Sequence, residues 1–334
     1  MENIQIIAEI GQAHEGSLGI AHSYIDALKL TGINAIKFQT HIAHAESSAY
    51  EPFRVNFSYE DKCRYDYWKR MEFTIDEWVG LKNHCDEIGV EFISSPFSLE
   101  AVDLLEKLDV KRYKIGSGEV NNLLLLKKIG LTKKPIIISS GMSELEELDK
   151  VIKYIRNFHN EISILQCTTA YPTLPGEWGF DTIPLLKQRF NLPVGYSDHS
   201  GKTYPLIAAM TLGAELLEFH VVFDRRMFGP DSKSSLIIDE VKYLVNAIRD
   251  IERDRLLFQG KTVNENTLRM KKIFGKSLAI NHDMQAYEIL RFEDLEAKKP
   301  SGYGIDAQHF ETVIGQKLNK NLVKGSFLNE QDLI

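Results

Sequence analysis

The sequence predicts an α/β fold, a (β/α)8 or TIM barrel followed by a small C-terminal domain, on three observations. Apolar runs of strand length recur eight times between residues 4 and 223. Helix-period stretches separate them, as parallel βαβ units require. From about residue 274 the pattern changes to short alternating runs broken by turns. Eight such units within roughly 250 residues fit a closed barrel better than an open sheet.

The strand candidates, in order, are 4–10, 34–40, 90–97, 112–117, 135–140, 162–169, 193–199 and 216–223. Helical spacing of apolar residues is plain over 20–30, 75–88, 99–108 and 144–157. Two connections are long. Residues 41–74 carry a dense tract, Tyr65-Asp-Tyr-Trp-Lys-Arg-Met-Glu-Phe73, and residues 225–233 follow the eighth strand. Loops of that size are usually functional or have structure of their own. A helix over 239–252 closes the barrel. The expected organisation is a catalytic barrel at 1–255, a polar linker at 256–273 and a separate small domain at 274–334.

Composition narrows the function classes. A chain of 334 residues, 43% hydrophobic and 26% charged, has the makeup of a soluble protein with a sizeable core. A net charge of -7 argues against nucleic-acid binding, which needs a basic face. The N-terminus lacks the basic start and long apolar core of a signal peptide. No apolar run approaches the ~20 residues of a membrane helix, so no membrane partner is expected. The three cysteines (Cys63, Cys85 and Cys167) have neither metal-ligand spacing nor the number for a disulfide framework, which points to the reducing cytoplasm.

Polar residues gather where the strands end, and in a (β/α)8 barrel those ends converge on one mouth. His199 and His220 each close an apolar run and so become neighbouring candidate ligands for a divalent cation. Lys114, with the hydroxyls of Ser117 and Ser139 and nearby Gly-rich backbone, has the donors to hold a phosphate. Glu9, Glu119 and Asp231 are the acid/base candidates, and proton donation at neutral pH needs a raised pKa. Lys or Glu inside a strand is costly unless paired, so Glu9, Lys37 and Lys114 carry information. From the residues alone the chain reads as a metal-assisted barrel enzyme acting on a phosphorylated small molecule. A barrel aldolase using Lys114 or Lys37 as a Schiff base is the rival enzyme class. A non-enzymatic sugar-binding protein fits the clustering on so many strand ends less well.

The motifs also resemble the sialic acid (nonulosonic acid) synthase family over nearly the whole chain. They are Ala8-Glu9-Ile-Gly with His14-Glu-Gly16, Lys37-Phe-Gln39-Thr, Ser94-Ser95-Pro-Phe-Ser98, Lys114-Ile-Gly-Ser117-Gly-Glu119, Ser140-Gly-Met142, Ser197-Asp-His199, Glu218-Phe-His220 and Gly229-Pro-Asp231. The last 60 residues look like that family's antifreeze-like (SAF) domain. The resemblance implies condensation of phosphoenolpyruvate with the open-chain aldehyde of an N-acetylated mannose-type sugar. The reaction proceeds by C–O cleavage and releases phosphate, in a domain-swapped homodimer. His199 and His220 would ligate Mn²⁺ or Mg²⁺. Lys37, Ser95, Lys114, Ser117, Ser139 and Thr169 would hold phosphoenolpyruvate. Gln39, Glu119, Tyr171, Asp231 and Lys299 would contact the sugar, and Glu9 the water that attacks C2.

Two departures from the sialic acid enzymes fall around the substrate. Their Asn in Cys-Thr-Asn-x-Tyr-Pro is Thr169 here, and their Lys-Arg-Pro-Gly is Lys298-Lys299-Pro300-Ser301. Lys299 keeps the charge of the Arg that contacts the N-acetyl group, but loses its planar fork. The aromatic tract 65–73 and the Gly11-Gln12-Ala-His14 variant are similar to the legionaminic acid synthase branch. That branch acts on 2,4-diacetamido-2,4,6-trideoxymannose; N-acetylmannosamine, the sialic acid precursor, is the alternative substrate.

Overall fold

The computed structural model describes residues 3–55, 57–258 and 260–334. The chain divides into two compact units, Met1–Leu256 and Leu257–Ile334.

The first unit is a closed parallel barrel. Its strands are β1 (Gln5–Gly11), β2 (Ala35–Thr40), β3 (Glu91–Pro96), β4 (Tyr113–Ile115), β5 (Ile136–Ser139), β6 (Ile162–Cys167), β7 (Val194–Asp198) and β8 (Leu216–Val222). Each pairs with its sequence neighbour, and β1 pairs with β8 to close the ring. All eight coincide with the apolar runs read from the sequence. The clearest differences are at the carboxyl ends of β4 and β6. There Gly116 leads into a 3-10 turn at Ser117–Glu119, and the chain beyond Cys167 leaves the ladder for an irregular loop.

Period-two alternation sorts the lumen into layers. Ile7, Ala35, Ile93, Ile137, Leu165 and Leu216 form a buried apolar floor. Two residues further along the same strands stand Glu9, Lys37, Ser95, Ser139, Cys167 and Glu218, all of which line one cavity. The floor anchors the barrel, and the next layer up is where its chemistry begins. At Gly195 on β7 an added Cβ would lie 2.4 Å from the carbonyl oxygen of Leu216, so only glycine lets β7 and β8 approach there.

The long connection after β2 is structured. It contains short helices at Ala43–Glu46 and Arg64–Met71. Tyr67, Trp68 and Met71 bury themselves with Ala43 against Phe53, Phe57 and Tyr65, a satellite core of the loop's own. The closing helix is longer than expected, Ile238–Leu257. No helix among the described residues is long and apolar enough to cross a membrane.

The second unit has its own core of Leu278, Ile280, Met284, Leu290, Val313, Leu318, Leu322 and Leu328. Ser277–Ile280 and Leu295–Lys298 pair antiparallel within it. The stretch expected as a polar linker at 256–273 is not irregular chain. Asn264 caps a helix over Glu265–Phe274 that buries no residue, while Gln259 lies outside the described residues. Met270, Ile273 and Phe274 recur at i, i+3 and i+4, but they stay exposed and polar residues dominate the stretch.

Candidate active site

A cavity of about 480 Å³ opens at the carboxyl ends of the barrel strands. Every barrel residue of the expected site lines it: Glu9, Lys37, Gln39, Ser95, Lys114, Ser117, Glu119, Ser139, Thr169, Tyr171, His199, His220 and Asp231. Lys299 belongs to the C-terminal unit, where its ammonium lies 5.0 Å from the centre of the Phe274 ring.

The floor of the cavity is an ion-pair network made by strand register. Glu9 sits opposite Lys37 on β2 and His220 on β8. Lys37 Nζ is 2.6 Å from Glu9 and 3.8 Å from Glu218, and Lys114 Nζ is 3.4 Å from Glu218. Lys114 also donates to Ser139 Oγ at 2.7 Å. These four charges are each 2–3% exposed, and burial of this kind is tolerated only because they are paired. The second Glu218 carboxylate oxygen is buried without a hydrogen-bond partner among the described residues. Sequence reasoning quoted Glu218 but gave it no role. The signal was present: a carboxylate inside an apolar run, two residues from His220 and therefore on the same face.

Two expectations about protonation need correction. Burial raises the Glu9 carboxyl, but Lys37, His220 and Lys114 together pull it well below the usual carboxylate range. Glu9 is therefore a fixed anion, not the raised-pKa acid expected from sequence. Burial lowers the Lys37 amine, yet Glu218 and Glu9 outweigh it and the net shift is upward. A Schiff-base lysine needs the opposite. Glu119 behaves as expected: burial raises its carboxyl against one hydrogen bond from Asn122 Nδ2 at 2.8 Å.

The two histidines fit a divalent cation. Their ring centres are 5.5 Å apart. His199 Nδ1 lies 2.8 Å from the Thr168 carbonyl, which accepts its proton and leaves Nε2 with a free lone pair. Burial holds the His199 imidazole neutral, with its pKa lowered to about 3, as a ligand must be. Tyr171 stacks on His199 at 4.1 Å. Glu9 and Asp231 flank His220 at 3.5 and 3.9 Å. No group of three or more His, Cys, Asp or Glu among the described residues forms a ready cage.

The loop after β2 supplies residues that sequence reasoning missed. Arg54 bonds Asp231 at 2.5 Å and lies 4.0 Å over the Tyr171 ring. Trp68 from the same loop, with Phe97 after β3 and Met142 after β5, gives the wall an apolar side. Nothing local in residues 41–74 marks Arg54; the fold alone brings it to the mouth. Ser117 and Thr169, just beyond β4 and β6, meet at 3.1 Å between their hydroxyls.

Comparison with known proteins gives this geometry its context. Residues 24–256 match the family model described as NeuB family. The chain is 33% identical over 339 residues to an N,N'-diacetyllegionaminic acid synthase of Campylobacter jejuni, covering 99% of this chain and 100% of that protein. It is 32% identical to a pseudaminic acid synthase of another C. jejuni strain, over 99% of this chain and 97% of that one. A crystal structure of an N-acetylneuraminic acid synthetase from Leptospira borgpetersenii superposes with a TM-score of 0.70 at 26% identity, covering 80% of this chain and 90% of that one. The chain therefore belongs to the NeuB family of phosphoenolpyruvate-dependent nonulosonic acid synthases.

Proposed function

We propose that this enzyme condenses phosphoenolpyruvate with 2,4-diacetamido-2,4,6-trideoxymannose, making it a legionaminic acid synthase. The observation that carries the choice of sugar is the apolar side of the cavity. Trp68, Phe97 and Met142 line it, and Thr169 stands where the sialic acid enzymes have Asn. A substrate with a 6-methyl and a second acetamido group suits such a wall better than N-acetylmannosamine.

In this reading Lys114, Ser139, Ser117 and Thr169 hold the phosphate, and Lys37 and Ser95 the carboxylate end of phosphoenolpyruvate. Gln39, Tyr171 and Asp231 orient the sugar. C3 of phosphoenolpyruvate bonds to the aldehyde carbon, and Glu119, its carboxyl raised by burial, gives the new alkoxide its proton. The cationic C2 is flanked by the Glu9 anion, which also orients the incoming water. The resulting hemiketal phosphate loses its hydroxyl proton and breaks its C2–O bond, releasing phosphate and leaving the ketone.

Two lysines and two glutamates cancel in the floor, so an incoming phosphoenolpyruvate would leave the pocket negative. A divalent cation, Mn²⁺ or Mg²⁺, on His199 and His220 would offset that charge and polarise the aldehyde carbonyl. We assign the C-terminal unit to the antifreeze-like domain and expect a cytoplasmic, domain-swapped homodimer. Lys299 would then contact the sugar from the partner's C-terminal unit.

The test is phosphate release with phosphoenolpyruvate and Mn²⁺, comparing the two sugars side by side. The expected result is a kcat/KM for the diacetamido sugar at least about 10-fold higher, the value of one apolar contact. Equal or reversed preference would make N-acetylmannosamine the substrate and Thr169 irrelevant to the choice.

A further inference from the structure

We infer that His41 is a positioning residue: held as an imidazolium by Glu46 between two aromatic rings, it fixes the amide of Gln39 and thereby the affinity for sugar. The kinetic half of this rests on the proposed reading of Gln39 as a sugar contact; the charge state does not.

Donor and acceptor bookkeeping carries the inference. The Glu9 carboxylate can only accept, so the nitrogen of the Gln39 amide faces it, at 2.6 Å. The amide oxygen then points the other way, where Gln12 Nε2 reaches it at 2.6 Å and His41 Nε2 at 3.0 Å. A carbonyl oxygen carries no proton, so His41 Nε2 must. Across the ring, His41 Nδ1 is 2.7 Å from Glu46 Oε1, a second acceptor. Neutral imidazole has one N–H, and this ring faces an acceptor at each nitrogen. With Glu46 ionised, both nitrogens donate and the ring is charged.

The surroundings suit a cation. Trp68 stacks on one face at 3.8 Å and 18°, and Phe97 packs at 4.5 Å and 12°, both rings offering negative π faces. The side chains of His41 and Glu46 are 3% and 6% exposed. The other charged or titratable groups around the pair are His14, after β1, Glu119, after β4, and Arg64, whose guanidinium lies 4.2 Å over the Trp68 ring. Loss of the proton would leave a lone pair against the Gln39 oxygen or the Glu46 carboxylate. The Gln39 amide would then be free to turn away from Glu9.

The experiment uses the full-length enzyme labelled with ¹⁵N in its ten histidines. His41→Phe keeps a ring in the sandwich and identifies the His41 resonances by their disappearance. The expected result is that both lost nitrogens are protonated at neutral pH. In Glu46→Gln the amide can donate to Nδ1, so only Nε2 remains protonated. Kinetically, His41→Phe should raise the sugar KM about 10-fold or more, the loss of a charge-assisted hydrogen bond. The phosphoenolpyruvate KM should stay within about twofold, and His41→Gln, which restores an N–H donor, should recover most of the loss. A neutral His41 in the wild type, or an unchanged sugar KM in His41→Phe, would overturn the inference. Wild-type enzyme inactive on both sugars would overturn the proposed substrate, and the ring nitrogens would still decide the charge of His41.

Discussion

Lys114→Met is expected to lower kcat/KM for phosphoenolpyruvate by about 10³-fold, the scale for removing one preorganised charge from a buried site. Methionine keeps most of the chain length and removes only the ammonium. That ammonium is 2.7 Å from Ser139 Oγ and 3.4 Å from Glu218, and it is one of two cations in the cavity floor. Without it an anionic substrate would meet Glu9 and Glu218 balanced by Lys37 alone. The KM for the sugar should change far less, because in the proposed reading Lys114 holds the phosphate. Glu218 keeps Lys37 at 3.8 Å, so the variant should still fold, with a stability loss below the ~3–5 kcal/mol of an orphaned buried charge. Initial rates at varied phosphoenolpyruvate, with a thermal melt alongside, check both halves. A loss expressed only in the sugar KM would move Lys114 out of the phosphate site.

His220→Ala is expected to reduce turnover below about 1% of wild type and to weaken Mn²⁺ binding by about 100-fold or more, since the proposed two-histidine site would lose half its protein ligands. Titration calorimetry with Mn²⁺ on the free enzyme reads the binding directly. His199 differs from His220 in having its orientation set by a backbone carbonyl, at Thr168. Its alanine variant should therefore lose the metal without disturbing the Glu9–Lys37 pair, whereas His220→Ala also removes the neighbour at 3.5 Å from Glu9. Undiminished Mn²⁺ affinity in either variant would place the cation elsewhere.

The barrel was legible because each strand is a compact apolar run between helix-period segments, a pattern that needs no tertiary information. The site was legible for the same geometric reason. Residues two apart on a barrel strand share a face, so Glu9 above Ile7 and Glu218 above Leu216 could be placed in the lumen from sequence. Protonation was not legible. The sign of the Glu9 shift depends on Lys37, His220 and Lys114, which come from three other strands. Nor could Arg54 be found, because its partner Asp231 is 177 residues away and no period links them. The helix over Glu265–Phe274 escaped because the polar composition of the stretch outweighed its short apolar stripe of Met270, Ile273 and Phe274, which stays exposed. His41 stood beside a recognised motif but meant nothing until Glu46, Trp68 and Phe97 surrounded it.

The most direct test of the proposed reaction is to follow the bridging oxygen of phosphoenolpyruvate. Phosphoenolpyruvate labelled with ¹⁸O between C2 and phosphorus is incubated with the diacetamido sugar, Mn²⁺ and enzyme, and the released phosphate is read by ³¹P NMR. C–O cleavage predicts that the phosphate carries the label and that its appearance matches formation of a nine-carbon 2-keto acid. Unlabelled phosphate would mean P–O cleavage, and would contradict attack of water at C2 in this barrel.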